Sequence, residues 1–330
     1  MKKLIAVMLV VLLASALCGA ANSGKVKTGL AVITELNRST DVGAKPGLAE
    51  IDSTAVAVMV DGNGKIVKCL IDMVQSNINF DGSGKLITPK GTEFPTKNEL
   101  GEKYGLKKAS KIGKEWKEQA AALAKYVEGK TVKEIKGIAV DQGKHATGSD
   151  LRASVTISIG EYIEAIEKAA AQAQALGASS SDVLGLGVVT TMSEFAVNAG
   201  AKPGLAGVDS YYVAITKDSK GKITSCLIDA SQGQVNFNKS GKITSNLNVR
   251  VKTKDELGDA YGEKKASKIG KEWNEQAAAF AKYVTGKTPS EVANIAVNKE
   301  GHATGSDLQA SVTVGILDFK AALAKAAANR

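Results

Sequence analysis

The stretch Ala44-Lys45-Pro46-Gly47-Leu48-Ala49 recurs 157 residues later as Ala201-Lys202-Pro203-Gly204-Leu205-Ala206. The same interval relates Cys69-Leu70-Ile71-Asp72 to Cys226-Leu227-Ile228-Asp229, and the run from Lys108 to Trp116 to its copy ending at Trp273. It also relates His145-Ala146-Thr147-Gly148-Ser149-Asp150 to the copy beginning at His302. A unit this long is a duplicated domain, because solenoid repeats run about 20 to 50 residues. At 330 residues the chain also exceeds what one core usually supports. The reading is therefore a first repeat at 25–176, a polar linker at 177–182 (Gly-Ala-Ser-Ser-Ser-Asp) and a second repeat at 183–330.

Local signals give each repeat an α+β character. Val56, Val58 and Val60 alternate with smaller residues, Asp61-Gly62-Asn63-Gly64 supplies a turn, and Lys65 to Asp72 reads as the returning strand. The second copy repeats this with Val213, Ile215, a turn at 218–221 and a strand from Ile223 to Asp229. The turn at 81–84 extends the meander toward Leu86 and Thr88. Thr96 and Glu99 match a capping box, with Gly105 as a stop. A longer helix is expected from Ser110, with Ile112, Trp116, Leu123 and Val127 on one face and Gly129 at its end. Thr131 and Glu134, and Thr288 to Glu291 with Pro289 at the first helical position, start a further short helix. A strand near 153–157 and a helix over 160–175 complete the unit. The fold class is thus α+β: two tandem copies of an antiparallel-sheet domain with a long helix, short helices and a C-terminal helix.

The amino terminus reads as an export signal. Lys2 and Lys3 precede an apolar run from Leu4 to Leu17, and Gly19, Ala20 and Ala21 follow in cleavage-site order, giving a signal peptide at 1–21. An uncleaved anchor is the alternative, since the run approaches the roughly 17-residue lower limit for a spanning helix. Cys18 invites lipidation, but Leu17 stands where a small residue belongs. The expected location is extracellular, periplasmic or on the cell surface.

Composition narrows the function. Only 5% of residues are aromatic, so the cores are aliphatic. The net charge of +9 reads first as a solvated surface of Lys spread among Glu and Asp, and alternatively as attraction to an anionic envelope polymer, a phosphate ligand or an acidic partner; with no aromatic-basic stacking motif, nucleic acid is not expected. Of three cysteines, one lies in the signal, and Cys69 and Cys226 occupy equivalent strand positions, expected as small buried residues, with a disulfide as the alternative if the two sites face each other across a pseudo-twofold. With two histidines and no CxxC, no metal site is expected. Asp72 and Asp229 end predicted strands, but one carboxylate per repeat supplies no acid–base pair. No catalytic grouping is expected.

The candidate site residues come in pairs. Trp116 and Trp273 lie on the apolar face of the long helix, where core packing competes with a ligand-lining role. His145 and His302 sit in a Gly-containing loop before Asp150 and Asp307. Ser154 and Ser311 precede Thr156 and Thr313. Ser158 with Glu161 reads as a capping box for the last helix, which places Thr156 just upstream of a helix N-terminus suited to phosphate. In the second repeat the cap position is Gly315.

The segments from Asp150 to Thr156 and from Asp307 to Thr313, together with the Asp-Gly-Asn-Gly-Lys-Ile turn, resemble the exported bacterial FMN-binding domains of electron-transfer proteins. That resemblance implies an FMN whose phosphate end is held at Thr156 and Thr313. Asp150 and Asp307 would orient the loop, and Trp116 and Trp273 would border the ring. Where that family has Ser-Gly-Ala before the Thr, this chain has Ala153-Ser154-Val155 and Ala310-Ser311-Val312, and a Val beside the acceptor speaks against covalent attachment. Two functions follow as expectations. One is a two-domain FMN-binding-like redox carrier with an envelope redox partner. The other is a non-enzymatic surface or ligand-binding protein that keeps the fold without flavin.

Overall fold

The computed structural model describes residues 24–329, so the expected signal peptide at 1–21 lies outside the described residues. The first repeat contains β1 (Lys27–Glu35), β2 (Gly47–Val60), β3 (Ile66–Phe80), α1 (Lys97–Leu100), α2 (Trp116–Val127), α3 (Val132–Lys136), α4 (Ser149–Arg152) and α5 (Gly160–Ala171). The second contains β4 (Val183–Met192), β5 (Gly204–Lys217), β6 (Ile223–Phe237), α6 (Lys254–Leu257), α7 (Trp273–Val284), α8 (Pro289–Ala293), α9 (Ser306–Gln309) and α10 (Leu317–Ala328). Each repeat forms one three-stranded antiparallel sheet, ordered β1-β2-β3 and β4-β5-β6.

The second half of β2, from Ala55 to Val60, is buried on both faces, which explains why it reads as a continuous apolar run rather than as an apolar–polar alternation. Val56 and Val58 face the helices α2 and α5 of their own repeat, with Trp116, Leu123, Ile166 and Ala169. Ala55, Ala57 and Met59 face the other way, into a core that also contains Leu186, Val208, Tyr212 and Val235 of the second repeat. The two sheets therefore stack inside two helical layers, and the middle core belongs to both repeats. At its centre the equivalent rings of Phe80 and Phe237 stack with centroids 4.2 Å apart. Gly47 of the repeated Ala-Lys-Pro-Gly motif makes room for them, since a Cβ there would lie 2.3 Å from the Phe80 ring.

A pseudo-twofold relates the repeats. Lys168 on α5 pairs with Glu256 on α6 at 2.8 Å, and the equivalent Lys325 on α10 pairs with Glu99 on α1 at 2.6 Å. The amide of Leu86 donates to Asn198 Oδ1, and that of Ile243 to Asp41 Oδ1. Strand β1, which the sequence pattern did not announce, is placed by its register. Thr34 lies opposite Ser53 and Thr190 opposite Ser210, so the second repeat has gained one residue between β4 and the Ala-Lys-Pro-Gly loop. The linker is packed: Ala178 is buried in the shared core, and the Asp182 carboxylate accepts from the Ser179 amide and the Thr224 hydroxyl.

Several local expectations are corrected. The long helix begins at Trp116, not Ser110, because Gly113 takes φ +62° and the backbone reverses before Glu115 caps the helix. Residues 153–157 form no strand; they follow α4 as a turn in which the Val155 amide donates to the Leu151 carbonyl. The Ser158–Glu161 capping box is absent: α5 starts after Ile159, whose own amide donates to the Lys144 carbonyl, and no side chain caps it. That helix ends at Ala171 rather than Ala175. Beyond Phe80 the meander reduces to a single bridge to Leu86 and a bond from the Asn79 amide to the Thr88 hydroxyl. The capping boxes at Thr96, Thr131 and Thr288 form as expected.

Candidate functional site

The first turn of α2 organises one end of each repeat. Glu115, buried, accepts the amides of Leu106 and Lys107 at 3.0 Å each. Gln119 is fully buried, and its Oε1 accepts the amide of Thr156 at 2.7 Å, the hydroxyl of Thr156 at 3.1 Å and the amide of Ile157 at 3.2 Å. Its Nε2 donates to Ser110 Oγ and the Lys114 carbonyl. Glu272 and Gln276 make the same contacts in the second repeat, including 2.7 and 3.1 Å to Thr313. Two loops, 106–111 and 155–157, are thereby pinned by their amides to one helix through two buried polar side chains. A buried acceptor that satisfies three donors is costly to remove, which makes the loop geometry rigid.

Between these loops lies a cavity of about 620 Å³ lined by Leu106, Ser110, Lys111, Asp141, His145, Arg152, Val155 and Thr156 among others. The equivalent cavity of the second repeat, about 460 Å³, is lined by Glu263, Ser267, Lys268, Asn298, His302, Gln309, Val312 and Thr313. The predicted histidines and threonines are thus brought together in both repeats. His145 Nδ1 lies 3.3 Å from Asp141 Oδ1, whose carboxyl is held below its usual range first by the amide of His145 and also by its ring. His302 Nδ1 lies 2.7 Å from the Thr313 carbonyl, which can only accept, so this nitrogen carries the proton.

The other predicted site residues are elsewhere. Trp116 is buried in the outer core, with its indole N–H donating to the Tyr162 hydroxyl at 3.0 Å; Trp273 packs edge-on against Phe319. Neither lines the cavity. Lys97, itself buried, lies 4.7 Å over Tyr104 and 5.5 Å over Trp116, which occupies that ring face with a protein cation. Asp150 and Asp307 stand exposed in the first turns of α4 and α9, outside the cavity. The Asp150 carboxyl is held low by the Leu151 amide and the Tyr126 hydroxyl. Ser154 and Ser311 donate to the carbonyls of Leu151 and Leu308 within their own turns. The amide of Thr156 is occupied by Gln119, so the expected helix-end phosphate site at that residue is closed.

Sequence reasoning missed Glu115, Gln119, Lys111 and Arg152. The signal for the first three was available: each is unchanged at its equivalent, Glu272, Gln276 and Lys268. Arg152 lines the first cavity, and Gln309 replaces it in the second.

The cysteines behave as expected, free and buried in separate outer cores, with burial pushing both thiols up. Asp72 sits at the floor of a crevice of about 550 Å³ between the repeats and accepts the amides of Met73 and Asn98; burial pushes its carboxyl up to about 6. Asp229 does the same in the opposite crevice. Among the described residues no group of three or more acidic, His or Cys side chains is arranged to hold a metal, and no helix is long and apolar enough to cross a membrane.

The chain is similar to the chlorophenol reductase of Desulfitobacterium hafniense, 33% identical over 96 residues, which cover 26% of this chain and 29% of that protein. The chain thus matches less than a third of that protein's length. No protein-family model matches the chain, and no solved structure matches it.

Proposed function

We propose that this protein is an exported, non-catalytic carrier that holds a phosphate-bearing ligand non-covalently in the cavity beside α2, with FMN as that ligand and electron transfer between envelope partners as its role. The observation that carries the reading is the pair Lys111 and Arg152. Both line the cavity that Thr156 and His145 border, and neither has an ion-pair partner among the described residues. Two cations set against a single lining carboxylate, Asp141, at a concave, partly apolar site favour an anion that also brings an apolar body. The phosphate end of FMN fits that chemistry. Bound there, FMN would supply electron-transfer chemistry, while the protein contributes binding and orientation.

Covalent attachment fits less well. The Thr156 hydroxyl already donates to Gln119 Oε1, and esterification would leave the buried amide oxygen short of a donor. The similarity to a reductase is compatible with electron transfer. Flavin fluorescence on titration tests the reading: FMN should bind with its emission altered, riboflavin at least about tenfold more weakly because it lacks the charge-assisted phosphate contacts. Equal affinity for the two, or none for either, would contradict it.

A second reading, a surface protein that keeps the fold without flavin, is favoured by one observation: no tryptophan, tyrosine or phenylalanine lines either cavity. Retention on an anionic cell-wall fraction, with no response to FMN, would support that alternative.

A further inference from the structure

We infer that the two cavities have diverged in charge selectivity, so that the first takes the anionic ligand and the second a ligand without net negative charge. The inference rests on the proposed binding reading and deepens it.

The cavities share a frame. Ser110, Lys111, His145, Ala146, Val155 and Thr156 of the first are matched by identical residues in the second, all lining. Among positions that line both cavities the differences are three. Leu106 becomes Glu263, Arg152 becomes Gln309, and Asp141 becomes Asn298. The first two changes act in one direction, adding a carboxylate and deleting a guanidinium. The third acts the other way: the Asp141 carboxylate, whose Oδ1 accepts the His145 amide at 2.9 Å and lies 3.3 Å from the imidazole, keeps its charge, so the first cavity sets two cations against one carboxylate and the second one cation against one. Asn298 Oδ1 keeps only the turn contacts, to the amides of Glu300 and His302.

The replacement side chains are committed too. Gln309 Nε2 donates to the Ala303 carbonyl at 2.9 Å, so it is folded back on its own loop where Arg152 makes no ion pair. His302 donates its Nδ1–H to the Thr313 carbonyl at 2.7 Å, which fixes the orientation of the ring. The second cavity therefore offers one cation, Lys268, against one carboxylate, Glu263. An anion entering it meets repulsion from Glu263 and loses the planar, two-pronged contact that an arginine gives a phosphate. A neutral polar ligand able to donate a hydrogen bond meets complementary groups.

Calorimetric titration of the whole protein with FMN tests this, with cooperative melting of each variant used to confirm folding. The expected result is one equivalent bound per chain by the wild type, loss of at least about tenfold in affinity in Arg152→Gln, and a second equivalent in the Glu263→Leu/Gln309→Arg variant. Two equivalents bound alike by the wild type would overturn the inference while leaving the binding reading intact. One equivalent in the Glu263→Leu/Gln309→Arg variant would overturn it as well. No binding by any variant would remove the binding reading, and the inference with it.

Discussion

Gln119 Oε1 accepts the amide of Thr156 at 2.7 Å and its hydroxyl at 3.1 Å, and Gln276 repeats both contacts with Thr313 at the same distances. A motif that reads as a ligand attachment point is thus first an internal joint, tying the cavity loop to α2. The same joint holds Ser110 and Lys114, so one buried amide sets the width of the cavity.

Gln119→Leu removes that joint while keeping the side-chain volume close. It leaves the half-buried amides of Thr156 and Ile157 without their acceptor, and about 1–3 kcal/mol of stability should be lost. Urea unfolding measures the loss. Gln119→Glu retains the acceptor but loses the donor to the Lys114 carbonyl and buries a charge, so it should also destabilise at neutral pH. A loss of under about 0.5 kcal/mol in Gln119→Leu would mean that solvent already satisfies these amides.

How far the sequence reaches is visible at this joint. The duplication, the hairpins and the Thr-Glu caps were legible because each is local: a turn, a cap and a repeat interval need no knowledge of what lies across the core. The helix start at Ser110 failed because Ile112 continues the apolar spacing, while Gly113 at φ +62° breaks the backbone. Strand β1 escaped notice because its Leu30 to Ile33 run, buried on both faces, lacks alternation. In the site, His145 and Thr156 were found from their loop, but their neighbours Lys111 and Arg152 arrive from separate segments. Trp116 takes the core role that its helical spacing favours, and not the ring-bordering role that the family resemblance implies.

The shared middle core predicts that one repeat does not stand alone. Residues 24–176 by themselves would expose the sheet face bearing Ala49, Ile51, Ala57, Met59, Ile78 and Phe80, all buried against the second repeat or within the joint core. Such a continuous apolar face should drive self-association, with a second copy taking the place of the missing sheet. Light scattering after size exclusion reports it: dimers or larger species are expected, and a stable monomer would contradict a joint core. In the whole chain, Phe80→Ala should cost about 3–5 kcal/mol by losing the stack with Phe237.

Asp72 sets a pH dependence. Burial raises its folded carboxyl to about 6, above the roughly 3.9 of an unfolded aspartate. The folded chain therefore binds more protons than the unfolded one between about pH 4 and 6, and this group's contribution to stability falls as pH rises through that window. Asp72→Asn should match the wild type near pH 4 and exceed it at pH 7, by on the order of 2 kcal/mol. Urea midpoints at the two pH values check it, and a variant less stable than wild type at pH 7 would show that the bonds from Met73 and Asn98 outweigh burial.

The location of the ligand site is tested most directly by backbone amide NMR of the whole chain during titration with FMN. The account predicts saturable shift changes concentrated at 106–111, 141–147 and 152–157, around Lys111, His145 and Arg152. Changes centred instead on Asp72 or Asp229 in the inter-repeat crevices, or no changes at all, would contradict it.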